Sequence, residues 1–256
     1  MDIFWSPMGG SIDMSCLDTH PPSINRIISN TLWLEPQPLI KHIVEERTKN
    51  ISYLKCPAFN NLYKNTYVIK SPFDVKFMVS NTPEGKLITA IDKDEDFEKA
   101  FLSDRNAENS TFSMMSYGIS YLFYSKQSVE MEICQPHMSA HISPTIRNMS
   151  VVCGKFDISK WIRPTDFAFE IIDDTQILEF RRGDPLFYVR FNTDDKVNLI
   201  RSEINDDILN LIKSQISIKK YFPGNSLKSN YDMAKSWIEF NKSKLFNKKC
   251  PFSFKK

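Results

Sequence analysis

Apolar and polar residues alternate through the centre of the chain, and the period of that alternation sets the expected elements. In "NTYVIKSPFDVKFMV" the alternation is carried by β-branched and aromatic residues and predicts two strands interrupted at Ser71-Pro72. "NTPEGKL" reads as the loop of a hairpin whose return strand carries Leu87, Ile88, Ala90 and Ile91. The clearest signal is "MSYGISYLFYSKQSVEMEICQP", a long strand, a turn at Ser125 to Gln127, and a second strand with Val129, Met131 and Ile133 on one face and Glu130 and Glu132 on the other. Further short strands are expected in "VVCGKFDISKWIRP", "DFAFEII", "TQILEFRRGDPLFYVRFNT" and "KVNLIRSE". Between the two groups, "KDEDFEKAFLSDRNAEN" is polar and acidic and predicts a surface excursion with at most a short helix.

Both ends depart from this period. Residues 1–50 are punctuated by "SPMGG", "HPPS" and "LEPQP", which favours extended, turn-rich backbone, with a short helix near Pro38 that puts Leu39, Ile40, Ile43 and Val44 on one face. From residue 205 the spacing becomes helical. Asn205 or Asp206 serves as N-cap, Ile208, Leu211, Ile212, Gln215 and Ile216 form a stripe, and "FPGNS" ends the helix. A second helix around "NYDMAKSWIEFNKSKLF" would align Met233, Trp237, Phe240 and Leu245. The expectation is an α+β, mostly β protein: an antiparallel β-sandwich of jelly-roll or β-clip type over residues 1–204, with a Pro-rich N-terminal segment, and a basic helical C-terminal extension over 205–256.

Composition supports a folded core and narrows the chemistry. Of 256 residues, 41% are hydrophobic and 19 are Phe, enough to bury a sizeable interior. Only seven are Gly, and neither G-x-x-x-x-G-K-[ST] nor G-x-G-x-x-G occurs, so a glycine-rich phosphate cradle is disfavoured. Five widely spaced cysteines and no charged-then-apolar leader point to a reducing compartment, and no apolar run is long enough for a membrane-spanning helix. The net charge of +2 is unevenly spread: from Lys213 to Lys256 eleven lysines face only Asp232 and Glu239, a net of +9 that leaves −7 on the first 212 residues. Such a Lys-rich segment either solvates the surface or captures an acidic partner, nucleic acid included.

Candidate reaction chemistry concentrates in "MEICQPHMSAHISP", where Cys134, His137 and His141 carry zinc-acceptable donors within eight positions. Pro136 ends the strand before His137, so the competing reading is two loop histidines beside a strand cysteine. No His is followed two positions later by Asp or Glu, and no G-x-S-x-G occurs, which disfavours a non-haem iron triad and a serine nucleophile elbow. Glu130 and Glu132 share a strand face, as solvated strand charges commonly do. Lys160, Arg163, Arg181, Arg182 and Arg190 interleave with Trp161, Phe180, Phe187, Tyr188 and Phe191, a composition suited to stacking and phosphate contact or to a core face alternating with a wet one.

Two resemblances follow from motifs. "LKCPAF", "KNTYVIKSPFDVKF", "SYLFYSKQSVEMEI", "GKFDISKWIRP" and "GDPLFYVRF", within roughly residues 30–200, resemble an uncharacterised family of proteins from tailed marine bacteriophages. That likeness implies a viral protein of the host cytoplasm or virion. "SPFDVKF" with Asp74, "GKFD" with Gly154 and Asp157, and "RRGDPLFYVRF" with Gly183 and Asp184 are similar to the β-clip proteins of the dUTPase and dCTP deaminase group. By that likeness Asp157 matches the acidic residue that orients attacking water. The chain departs from the group by lacking the glycine-rich C-terminal arm, since Gly224 is the last glycine and the only one after Gly183, and by lacking a recognisable serine-rich phosphate motif.

Three functional expectations result. The first is a non-enzymatic virion-associated or host-factor-binding protein that engages a viral or host protein, needs no cofactor and does not enter a membrane, with nucleic acid contacted through the Lys-rich 213–256 segment as a further option. The second is a nucleotide-binding or nucleotide-metabolising β-clip-like enzyme using Asp74, Asp157, Arg181 and Arg182. The third is a metal-dependent enzyme built on Cys134, His137 and His141.

Overall fold

The computed structural model describes residues 1–9, 32–46, 55–83, 85–93, 102–104, 114–136, 144–173 and 177–221, with individual positions from 224 to 239. In chain order the elements are β1 (Asp2–Gly9), β2 (Gln37–Pro38), α1 (Leu39–Glu46), α2 (Pro57–Tyr63), β3 (Thr66–Lys70), β4 (Val75–Thr82), β5 (Gly85–Ala90), β6 (Leu102–Asp104) and β7 (Met114–Ser125). There follow β8 (Glu130–Cys134), α3 (Pro144–Arg147), β9 (Met149–Val151), β10 (Gly154–Asp157), β11 (Pro164–Ile171), β12 (Leu178–Phe180), β13 (Pro185–Asn192), β14 (Asn198–Arg201) and α4 (Asp206–Tyr221).

These strands form a mostly β, sandwich-like α+β fold of three sheets rather than a closed barrel. A front sheet runs β14-β1-β7-β11-β9, with β6 also on β7; a back sheet runs β10-β8-β13-β3-β2; a cap sheet runs β12-β4-β5. Among the described residues the strand pairings are antiparallel except β1 with β14, which is parallel. Pro7 lies on β1 beyond the last rung shared with β14, at Trp5, so its missing N–H interrupts no ladder.

The central strand β7 is buried on both faces. Its odd positions Met115, Tyr117, Ile119, Tyr121 and Phe123 enter the main core between the sheets. Leu122 and Tyr124, on its other face, meet Met8, Ile162 and the Ile208, Leu211 and Ile212 stripe of α4. Asn205 is the cap, its Oδ1 accepting the Ile208 N–H at 2.9 Å, and Asp206 and Asp207 complement the positive end of the helix dipole. Each fully buried Leu or Ile on that stripe is worth about 1.5–3 kcal/mol, so α4 is bound to the front sheet as a third layer.

Several expectations are sharpened or corrected. The break at Ser71-Pro72 is a change of sheet, β3 belonging to the back sheet and β4 to the cap sheet. "VVCGKFD" likewise holds two strands, β9 in front and β10 behind. The acidic stretch contributes strand β6, paired with β7 through Leu102↔Tyr117, where no strand was expected. In the region of the second C-terminal helix, the described positions from 228 to 239 are all helical, and Ser236 Oγ donates to Asp232 O at 3.0 Å. Ile238 is the residue buried there, while Met233 is 38% exposed, because five residues advance about 140° around a helix. Trp237, Phe240 and Leu245 lie outside the described residues.

Candidate functional site

Side chains two apart on a strand share a face, and the outer face of the back sheet carries two successive rungs. One joins Thr66, Arg190, Glu132 and Lys155 across β3, β13, β8 and β10; the next joins Gln37, Val68, Tyr188 and Cys134 across β2, β3, β13 and β8. The second rung is roofed: Leu39 and Ile43 of α1 and Tyr63 and Phe59 of α2 pack on Val68, Tyr188 and Cys134. Pro57 opens α2, where its fixed φ and absent N–H cost nothing.

The roof stops short of the first rung, which leaves a cavity of about 270 Å³. Leu62 and Tyr63 line it from α2, Thr66, Tyr188 and Arg190 from β3 and β13, and Glu132 to Gln135 from β8 and the residue after it, with Cys153 at the margin. A second, open depression of about 550 Å³ shares Leu62 and Arg190 and continues past Asn61 and Lys64 to Asp194. Together they make a groove beside α2.

Charges in this groove are partly neutralised and one hydroxyl is held in reserve. Arg190 donates to Glu132 Oε2 from Nε at 3.1 Å and from Nη2 at 2.7 Å, and this contact raises the guanidinium pKa. Burial, followed by the Glu132 carboxylate, lifts the Cys134 thiol to about 11. Thr66 is 4% exposed, and its Oγ1 finds no hydrogen-bond partner among the described residues. A buried polar group in that condition costs about 1–3 kcal/mol, which a ligand group reaching it would recover.

The Asp74, Arg181 and Arg182 set is brought together elsewhere, at the corner where two strand pairs change sheets in step. Ser71 N–H donates to Asp184 O and Gly183 N–H to Ser71 O, both at 2.9 Å, linking the β3–β4 break to the β12–β13 break. Gly183 has φ +94°, a conformation side chains rarely accept. Asp74 Oδ1 accepts the Arg182 N–H at 2.6 Å, Asp184 Oδ2 accepts the Arg181 N–H at 2.9 Å, and the Arg182 guanidinium donates to Leu32 O at 3.2 Å and to Pro72 O. Burial, with the neighbouring Asp74 and Glu179 carboxylates, raises the Asp184 pKa despite the opposing Arg181 contacts.

Asp157 lies at the far end of the back sheet. It pairs across β8 with Glu130, which is level with Asn192, whereas Arg181 and Arg182 precede Pro185. Seven strand steps separate those levels, about 23 Å at the usual rise, so Asp157 does not share a cleft with the Asp74 corner. Its carboxylate ties down a turn: Oδ1 accepts from Ser159 N–H at 2.9 Å and Ser159 Oγ at 2.7 Å, and Oδ2 accepts from Ser128 Oγ at 2.6 Å and Lys160 Nζ at 2.7 Å. Burial alone would raise its pKa, but these donors, Lys160 foremost, hold it at about 2.

The other candidates are dispersed. Cys134 lies in the groove wall, while His137 and His141 lie outside the described residues; among the described residues no group of three or more His, Cys, Asp or Glu is placed to hold a metal. Glu130 pairs with Lys155 at 2.6 Å. Of the interleaved cations, Lys160 is on Asp157, Arg163 lies over the Trp161 ring at 5.3 Å, Arg181 is on Glu179 and Arg190 is on Glu132, so they present no common face. No described helix is long and apolar enough to cross a membrane. Thr66 and Cys153 were not singled out by sequence, and Tyr188 was read only as one of the interleaved aromatics. The available signal was Tyr188, an aromatic on the supposedly wet face of "LFYVRF", which implies a covering element.

The chain matches no protein-family model, no curated protein and no solved structure.

Proposed function

We propose that this protein is a non-enzymatic binding protein that receives a segment of a partner protein in the groove beside α2. One observation carries the reading: the 270 Å³ cavity and the open depression meet at Leu62 and Arg190, so an extended segment can lie along α2 while one of its side chains enters the cavity. Leu62, half exposed at the junction, supplies apolar contact, and the Thr66 hydroxyl and the Arg190–Glu132 pair supply polar specificity at the floor. Concave, mostly apolar sites with a few placed polar groups suit such capture. The resemblance to phage proteins supports a virion component or a host protein as the partner.

The test is a photo-crosslinking amino acid at position 62, with position 78 as control, since Met78 is equally exposed but lies on the cap sheet. In infected cells, position 62 gives an adduct with one defined protein and position 78 does not. The same adducts from both positions, or none from position 62, would remove the proposal. Proteomics of purified particles then separates a virion component from a host-factor binder.

A further inference from the structure

The crossing from the front sheet to the back sheet between β9 and β10 is only two residues, Val152 and Cys153. Val152 N–H is tied to Ala168 O at 2.9 Å, and Gln135 fastens the segment just before it, accepting the Val151 N–H and donating to Met149 O at 3.0 Å. On the other side, β10 pairs with β8 through Gly154↔Ile133 and Lys155↔Glu132. Carried one step further, that register sets Cys153 opposite Cys134. Directly opposed antiparallel residues have Cα atoms about 4.5–5.5 Å apart, inside the range a disulfide spans. The placement agrees with the cavity, which both residues line, and with the Cys153 thiol being among the groups that raise the Cys134 pKa; neither cysteine is bridged.

We infer that Cys134 and Cys153 form a cross-strand dithiol, a site of oxidative modification that low-molecular-weight disulfides convert to an intramolecular bridge. The reaction is thiol–disulfide exchange in two steps. The exposed Cys153, as thiolate, attacks one sulfur of glutathione disulfide; a Cys153–glutathione bond forms, the reagent's sulfur–sulfur bond breaks, and one glutathione leaves and takes up a proton. Cys134, having lost its proton to solvent, then attacks the Cys153 sulfur, forming the Cys134–Cys153 bond and releasing the second glutathione. In balance, two cysteine thiols are oxidised and one glutathione disulfide is reduced to two glutathiones. Cys153 is the entry point because it is exposed, whereas Cys134 is half buried beneath α2 and close to Glu132. The exchange does not depend on what the groove binds.

Cys56 provides an internal control, because it is exposed and lines neither wall of the cavity. The folded wild-type chain is incubated with glutathione disulfide, quenched with acid, digested without reductant and mapped by mass spectrometry. The expected result is a peptide pair joined through Cys134 and Cys153 with the loss of two hydrogens, and a retained glutathione adduct at Cys56. In Cys134→Ala the adduct should persist on Cys153, because its resolving partner is gone. A stable glutathione adduct on Cys153 of the wild type beside a free Cys134 would overturn the inference. So would modification of Cys56 with both groove thiols untouched, or a bridge from Cys153 to any other cysteine.

Discussion

The sheet-switching corner and the groove beside α2 are built from similar residue types and use them in opposite ways. At the corner, Asp74, Asp184 and Arg182 are turned onto the chain's own backbone, where they hold two breaks in register more than a hundred residues apart in sequence. In the groove, the buried Thr66 hydroxyl has no partner among the described residues, Cys134 and Cys153 line the cavity, and the Arg190–Glu132 ion pair lies side by side on neighbouring strands without fastening a turn. A cluster of charged residues is therefore not by itself a binding site. What distinguishes the two regions is whether the polar groups are already occupied by the fold.

That distinction can be broken at graded cost. The largest effect is expected beneath the corner, where Phe180 packs against Phe77, Tyr117, Phe167 and Phe169 with ring centroids 5.5–6.4 Å apart. Phe180→Ala should lose about 3–5 kcal/mol of unfolding free energy in urea titration, and a loss under 1 kcal/mol would mean that the cap sheet is not part of the core. Asp157 behaves as a corner-type fastener at the opposite end. Its folded pKa is depressed, so its contribution is present above the ordinary carboxylate pKa and is lost as pH falls towards about 2. Asp157→Asn should cost about 1–2 kcal/mol at neutral pH, and the gap to wild type should close between pH 4 and pH 2. A gap that stays constant with pH would remove the charge from the account. Asp74→Ala, which deprives the Arg182 N–H of its acceptor at an exposed position, should cost about 1 kcal/mol, read as a shifted urea midpoint at unchanged slope.

The sheet body was legible because its signals are local. The long strand of β7, the two faces of β8, the strand break at Ser71-Pro72 and an N-cap at Asn205 or Asp206 each depend on residues within a few positions of one another. Pairing between distant breaks is not local: nothing in "SPFD" or "RRGD" declares that Ser71 and Gly183 are hydrogen-bonded neighbours, and the β-clip likeness grouped Asp74 with an Asp157 that lies a strand length away. The groove stayed hidden for a related reason. Glu130, Glu132 and Cys134 alternate as a solvated face does, and only the covering by α1 and α2 turns part of that face into an interior wall. Two signals for that covering were present, Pro57 at a helix start and Tyr188 on the outward side of β13. Both faces of β7 being apolar carried the same message about α4.

The contrast between occupied and reserved polar groups is tested most directly by the urea unfolding free energy of Thr66→Val. Valine keeps the shape of threonine and removes only the hydroxyl. If that hydroxyl is kept for a ligand, the unliganded variant should equal or exceed the wild type by up to about 1 kcal/mol, opposite in sign to Asp74→Ala. A loss of 1 kcal/mol or more would show that the hydroxyl already serves the fold, and the groove would then be one more fastening like the corner.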